Sequence, residues 1–235
     1  MKCVILQPSY IPWRGYFDQI RRADLFIFYD DVQYDKRGWR NRNQIKTANG
    51  KQWLTIPVHS HGAQTNHLLI KDVLVSYESN SLWTSDHIKS IHHAYAHAPY
   101  FKEIMAFLEP FYEVKPVLLT DFIIDLTMAI SDYLGITATR FMRSSELNAK
   151  GAKTDRLIEL LQQVNATEYI SGPSAKDYIE MEKFSSAGIK VEYLNYNYLE
   201  YPQLYPPYDK NVSIVDLLMM MGKNSINYIT EEKVE

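Results

Sequence analysis

The sequence predicts an α/β protein with a mostly parallel sheet and an inserted block of helices. Three observations predict it. Two short apolar runs, residues 3–6 and 25–29, flank a stretch whose apolar residues recur at helical spacing. Strand, loop, helix and strand within about 30 residues open a parallel sheet. Residues 81–134 then hold a helical period, after which short apolar runs and helical stretches alternate again.

Each element has a local reason. Residues 3–6 end at Gln7-Pro8 and read as a buried strand. Pro8 and Pro12 fix φ and remove donors, so an extended loop follows. A helix begins near Gly15, with Tyr16, Phe17, Ile20 and Ala23 on one face. Residues 25–29 form the second strand. Residues 30–49 show no clear period, and Asn49-Gly50 is a hairpin turn signal. Residues 52–58 read as a strand, held to an edge or ended by Pro57. Residues 59–66 are polar and loop-like, and 68–75 are a further strand candidate. Trp83, His87, Ile91 and Tyr95 are spaced by four and share a helix face that ends at Pro99. Residues 100–112 and 119–134 give two more helices, the second stopped by Gly135 as a C-cap.

The second half repeats the α/β rhythm. It reads strand 136–142, helix 153–164, strand 168–170, the turn Ser171-Gly172-Pro173-Ser174, helix 175–186 closed by Gly188, and strand 189–194. A Tyr- and Pro-rich irregular stretch, 196–210, precedes a helix over 213–221 with Ser213 as N-cap. The expected organisation is one domain over 1–235, with 81–134 as a helical insertion or subdomain.

Composition narrows the function. The net charge of −3 offers no general attraction to nucleic acid or to a membrane surface. No apolar run approaches the ~20 residues of a membrane span, and the N-terminus does not read as a signal peptide. Cys3 is the single cysteine, so no intrachain disulfide forms, which fits a reducing compartment. A soluble cytoplasmic protein is expected, and a homo-oligomer is compatible with the sequence. Eighteen tyrosines suit a polar pocket as well as they suit a Tyr-rich core.

Two segments carry residues that a core does not need. Gln7, Ser9, Tyr10, Trp13 and Tyr16 follow the first strand; Asp30, Asp31, Gln33, Arg37, Trp39, Asn41, Arg42, Asn43 and Lys46 follow the second. In parallel sheets ligands sit beyond the carboxyl ends of the strands, so both segments are expected on one edge, lining one cleft. Asp30-Asp31 reads either as a Mg²⁺ site, with Asp31 as ligand, or as a turn cap paired to nearby arginines. Arg37, Arg42 and Lys46 suit an anion such as phosphate, and Tyr34 and Trp39 suit stacking on a base. Ser171, Gly172 and Ser174 lie between a strand and a helix, where backbone amides hold an anion or Ser174 simply caps the helix. His93 and His97 have zinc-ligand spacing without a third ligand, and His87 reads as a core histidine. No Walker loop, Rossmann glycine fingerprint, nucleophile elbow or zincin motif is present.

The blocks Gln7-Pro8-Ser9-Tyr10, Pro12-Trp13, Gly15-Tyr16-Phe17-Asp18, Asp30-Asp31-Val32-Gln33-Tyr34, Asn41-Arg42-Asn43 and Trp53-Leu54-Thr55 resemble the WbqC-like family of bacteria. So do Ala98-Pro99-Tyr100-Phe101, Lys153-Thr154, Arg156-Leu157 and the stretch from Tyr169 to Asp177. The resemblance implies a transferase of surface-polysaccharide or modified-sugar biosynthesis that attaches an amino acid such as glycine to the amine of a nucleotide-linked amino sugar. It carries over no catalytic residues. The opening strand, turn and helix are also similar to a Rossmann-like nucleotidyltransferase, with Trp13 and Tyr16 where that group has two histidines. ATP and Mg²⁺ are the cofactors implied, and a nucleotide or nucleotide sugar is the implied ligand. On this reading Asp30 and Asp31 are candidate bases, with Arg37, Arg42 and Lys46 steadying charge. Two other classes fit the same residues: a non-catalytic nucleotide- or sugar-binding module, and a glycosyltransferase using Asp30-Asp31 for its metal.

Overall fold

Hydrophobic alternation in the first two strands decides the layers. Cys3, Ile5, Leu25 and Ile27 point to one face of the sheet, and Val4, Phe26 and Phe28 to the other. All are buried, so both faces need a cover, which is the condition of a parallel sheet. The computed structural model describes residues 1–61, 67–177 and 179–230. Its central sheet has five parallel strands: β1 (Lys2–Leu6), β2 (Leu25–Phe28), β5 (Arg140–Arg143), β6 (Glu168–Ser171) and β7 (Lys190–Tyr193), in the spatial order β5-β2-β1-β6-β7. The chain runs outward from β1 to β2 and β5, then returns to the other side of β1 for β6 and β7. This is the Rossmann-like order, and its direction reverses between β1 and β6.

One face carries α5 (Lys153–Gln163) and α6 (Met181–Ser186), through Leu157, Leu160, Leu161 and Phe184. The other carries α1 (Arg14–Arg22), α2 (Trp83–Tyr95), α3 (Phe101–Glu113), α4 (Leu119–Tyr133) and α7 (Ile214–Met221). The three helices between residues 81 and 134 stand close to their predicted bounds, and Gly135 follows α4 with φ 77°, the left-handed turn that favours glycine. No helix among the described residues is long and apolar enough to cross a membrane.

The structure departs from the sequence reading in five places. Residues 30–49 contain a strand, β3 (Arg42–Thr47), which pairs antiparallel with β4 (Gly50–Thr55) around Ala48-Asn49. Polar Asn43 and Lys46 are buried on β3, so hydrophobicity alone does not mark it. The hairpin is a sheet of its own and not part of the parallel one. Residues 68–75 form no strand. Their backbone bonds go to Val32, Tyr34, Asp30 and Val117 in separate loops, and a 3-10 turn at Ile70–Asp72 interrupts them. The third sheet strand begins at Arg140, because Ile136 N–H closes the end of α4 on Ser131 and Thr139 Oγ1 bonds the Ile20 carbonyl. The stretch expected as helix 175–186 divides into a 3-10 turn (Pro173–Asp177) and the short α6. Ser213 is the N-cap residue of α7, but its hydroxyl makes no capping bond.

Candidate functional site

The loops after β1, β2, β5 and β6 all emerge at the carboxyl edge of the sheet. The β1–α1 loop lies at the reversal point and is strained: Ile11 has φ 36°, costly for a β-branched residue. Asn43 holds it there. Its Nδ2 donates to the carbonyls of Tyr10 (3.1 Å) and Ile11 (2.9 Å), and Tyr10 N–H donates to the Trp39 carbonyl (3.1 Å). Asn41 Nδ2 donates to the Ile56 carbonyl. The β3–β4 hairpin thus clamps the loop from above; Asn43 is spent on backbone through both its amide nitrogen and its oxygen, while Asn41 Oδ1 is buried without a partner.

Tyr10 does not line a cleft as its place after the first strand suggests. Its ring is fully buried, and its hydroxyl donates to His87 Nδ1 (2.9 Å) while accepting from Tyr112 Oη (2.5 Å). His87 Nε2 reaches the Thr55 carbonyl at 3.2 Å, which completes a buried chain of hydrogen bonds. Burial pulls the His87 imidazole down to about 4, so it stays neutral. His87 is the core histidine that the helix spacing predicts.

Gln7, just past β1, meets a cation. Arg40 Nη1 donates to Gln7 Oε1 at 2.6 Å, and Tyr16 Oη donates to the Gln7 carbonyl at 3.2 Å, with Ser9 Oγ 3.5 Å from the same oxygen. Arg40 Nε is buried without a partner. Burial lowers the Arg40 pKa, opposed by the nearby Tyr16, Asp35 and Tyr34, and the guanidinium remains charged. Its hydrogen-bonded partner is a neutral amide, so the charge is left to a longer-range interaction with Asp35. Such a cation is a ready contact for an anion. Tyr34 packs beside it, its hydroxyl buried without a partner and pushed up to about 12 by burial.

The acidic pair is engaged. Asp30 is fully buried; Oδ1 accepts from Ser145 N–H (3.0 Å) and Oδ2 from Ser145 Oγ (2.9 Å). Ser144 Oγ accepts the Asp30 N–H (3.1 Å) and donates to Asp31 Oδ1 (2.6 Å). Asp31 Oδ2 pairs with Arg156 at 2.5 Å, and that guanidinium also lies over the Tyr29 ring. The pair therefore stitches the ends of β2 and β5 to α5. Asp30 has no path to a substrate amine. Neither carboxylate presents free oxygens to a cation, so the residues do not fit Mg²⁺, and among the described residues no group of three His, Cys, Asp or Glu is placed to hold a metal. Lys46 is likewise committed: its ammonium, on a buried side chain, donates to Gln203 Oε1 (2.6 Å) and to the Pro207 carbonyl. Arg37 and Gln33 are exposed, Arg42 stacks on Trp53, and Trp39 lies beside Trp53.

Across the reversal, Ser171 is buried and Ser174 exposed. A side chain at Gly172 would meet Tyr196 Oη at 2.6 Å, so this hydroxyl rests on the backbone where the β6 loop begins. Gln19 Nε2 donates to Tyr196 Oη (3.0 Å), while Gln19 Oε1 is buried without a partner. Trp13 packs edge-on against Tyr196 and covers the first turn of α1. A Cβ at Gly15 would lie 2.4 Å from its ring. The place where dinucleotide folds seat a pyrophosphate on the first helix is thus filled by indole. The site brings together Gln7, Tyr16, Trp13 and Gly172, with Arg40, Gln19 and Tyr196 added to them.

The sequence pattern of the WbqC-like protein family matches residues 7–228. This chain belongs to the WbqC-like family. It is 42% identical over 230 residues to the uncharacterized protein Rv1507c of Mycobacterium tuberculosis, covering 97% of each chain. No solved structure gives a match.

Three site residues of this WbqC-like chain escape a reading by motif. Arg40 sits in the basic loop among other cations, and only the fold shows which one reaches β1. Gln19 hides on a helix whose amphipathic period already accounts for it. Tyr196 lies in the irregular Tyr-rich stretch, where no spacing separates one tyrosine from the next.

Proposed function

We propose that this WbqC-like protein is a transferase that binds a nucleotide or nucleotide-linked sugar at the reversal point of its sheet. The observation that carries the reading is the Gln7–Arg40 pair: a half-buried cation, its Nε without a partner, on a neutral amide at the strand end where open α/β sheets take their ligands. The strained Ile11 beside it supports the same reading, since strain of this kind is held at functional loops. Arg40 is the residue to meet a phosphate, with Gln19, Tyr196 and Trp13 around the rest of the ligand. The finer reaction is attachment of an amino acid such as glycine to the amine of the bound amino sugar. The carboxylate attacks the α-phosphorus of ATP and pyrophosphate leaves, giving an acyl adenylate; the amine then attacks the acyl carbon, the C–O bond breaks with AMP as the leaving group, and the amine's extra proton passes to water. No part of this reading uses Asp30, Asp31 or Lys46 as chemistry-bearing groups.

Titration calorimetry with ATP and with a nucleoside-diphospho-amino sugar tests the site. Arg40→Ala should weaken binding roughly tenfold to a hundredfold, the worth of one charged hydrogen bond, with Arg40→Lys in between. Unchanged affinity in Arg40→Ala overturns the site. Incubation with ATP, glycine and the amino-sugar nucleotide, read by mass spectrometry, tests the reaction. Binding without amide product favours the second reading, a binding module, which the engaged carboxylates also favour.

A further inference from the structure

We infer that Trp39 and Trp53 form a stacking platform for a pyranose ring. Of the four tryptophans, Trp83 is buried and Trp13 half-buried, but Trp39 and Trp53 are 49% and 43% exposed and lie together, ring centroids 5.5 Å apart and tilted by 31°. Leaving two indoles side by side in water forgoes burial that a core would use, and such patches mark binding surfaces. The platform is also held rigid. The Trp39 carbonyl is bonded by Tyr10 N–H, Trp53 is fixed in β4, and the Arg42 guanidinium lies 4.6 Å over the Trp53 ring while donating to the Arg37 carbonyl.

The neighbours favour a sugar over a base. In the hairpin register Arg42 stands opposite Thr55 and Gln44 opposite Trp53, so these four residues share one face. A pyranose presents a flat patch of C–H groups edged by hydroxyls. It is matched by an indole face bordered by an amide, a hydroxyl and a guanidinium, which is what Gln44, Thr55 and Arg42 supply. A nucleobase gains most when held between two parallel planes, whereas these indoles are tilted and Arg42 occupies one face of Trp53. The inference deepens the proposed function by naming the residues that take the sugar moiety, and it rests on that reading for the substrate's being a sugar conjugate. Its test reads free hexoses and free nucleotides separately, so the sugar contact is measured without a nucleotide attached.

The test follows the tryptophan indole N–H signals by NMR during separate titrations with D-glucosamine, D-glucose, AMP and UMP. The hexoses should shift the Trp39 and Trp53 signals and leave Trp83 unmoved. Trp53→Ala should weaken the hexose response of Trp39 roughly twofold to tenfold, with Trp53→Phe retaining part of it. Circular dichroism checks folding, and Trp39→Ala, in a loop, provides the same comparison if Trp53→Ala does not fold. Signals moved by the nucleotides and not by the hexoses, or by neither, overturn the platform. Hexose binding in a protein that fails to bind nucleotides in calorimetry keeps the platform and removes the nucleotide reading.

Discussion

His87 shows how one residue carries a measurable pH dependence. It is 5% exposed and held near pKa 4, whereas an imidazole in the unfolded chain titrates near 6.5. Between those values the unfolded state binds more protons. Stability is therefore full above pH ~6.5 and falls as pH drops toward 4, by about 3 kcal/mol at most from this group. His87→Gln should flatten that part of the profile when melting temperature is followed from pH 7 to 4; an unchanged slope would show that the imidazole is not kept neutral. Ser144 is a second case. It serves the Asp30 backbone and the Asp31 carboxylate at once, so Ser144→Ala should cost about 2 kcal/mol in urea unfolding, by leaving buried partners unpaired.

Elements meet through pairs whose size is complementary. The Trp13 ring lies on the first turn of α1 only because residue 15 lacks a Cβ. Gly15→Ala should destabilise by about 1–3 kcal/mol, since the ring has to move from a packed position. In a Trp13→Ala background the same substitution should cost much less, and a double-mutant cycle in urea measures the coupling. Additive effects would mean that ring and turn do not touch in solution. The hairpin is the other element-level device. Asn49-Gly50 signals its turn and residues 52–58 its second strand, but polar alternation hides β3, whose Asn43 restrains the strained Ile11 in a different part of the chain.

Across the whole molecule, the C-terminal segment is bound back to the N-terminal third by buried polar groups. Arg14 donates to the carbonyls of Leu199 and Tyr228 and to Tyr208 Oη. Lys46 reaches Gln203, which bonds Asp216, and that carboxylate also accepts from Tyr95 and Tyr201. Burial raises the Asp216 pKa, opposed first by the Tyr201 and Tyr95 hydrogen bonds. Lys46→Met should therefore act on stability, by about 3–5 kcal/mol in denaturant unfolding, because it breaks a buried charged network. Its affinity for a nucleotide, measured well below the unfolding transition, should match the wild type. A loss of affinity in a stable Lys46→Met protein would return this lysine to the binding site.

The sequence by itself determined the fold class, the helices between residues 81 and 134, and the strands β1, β2 and β7. These are set by local period and by Gly and Pro, which act within a few residues. It also determined that the loops after β1 and β2 would share an edge, since strand direction alone requires it. Only the tertiary structure decided which polar residues are free. Asp30, Asp31, Lys46 and Tyr10 look in sequence like Arg40 and Gln7, but whether a polar side chain is spent inside the fold depends on partners such as Ser145, Arg156, Gln203 and Tyr112, as many as 157 positions away. Burial without water obliges each such group to find a partner, and a partner met through space leaves no period in the chain.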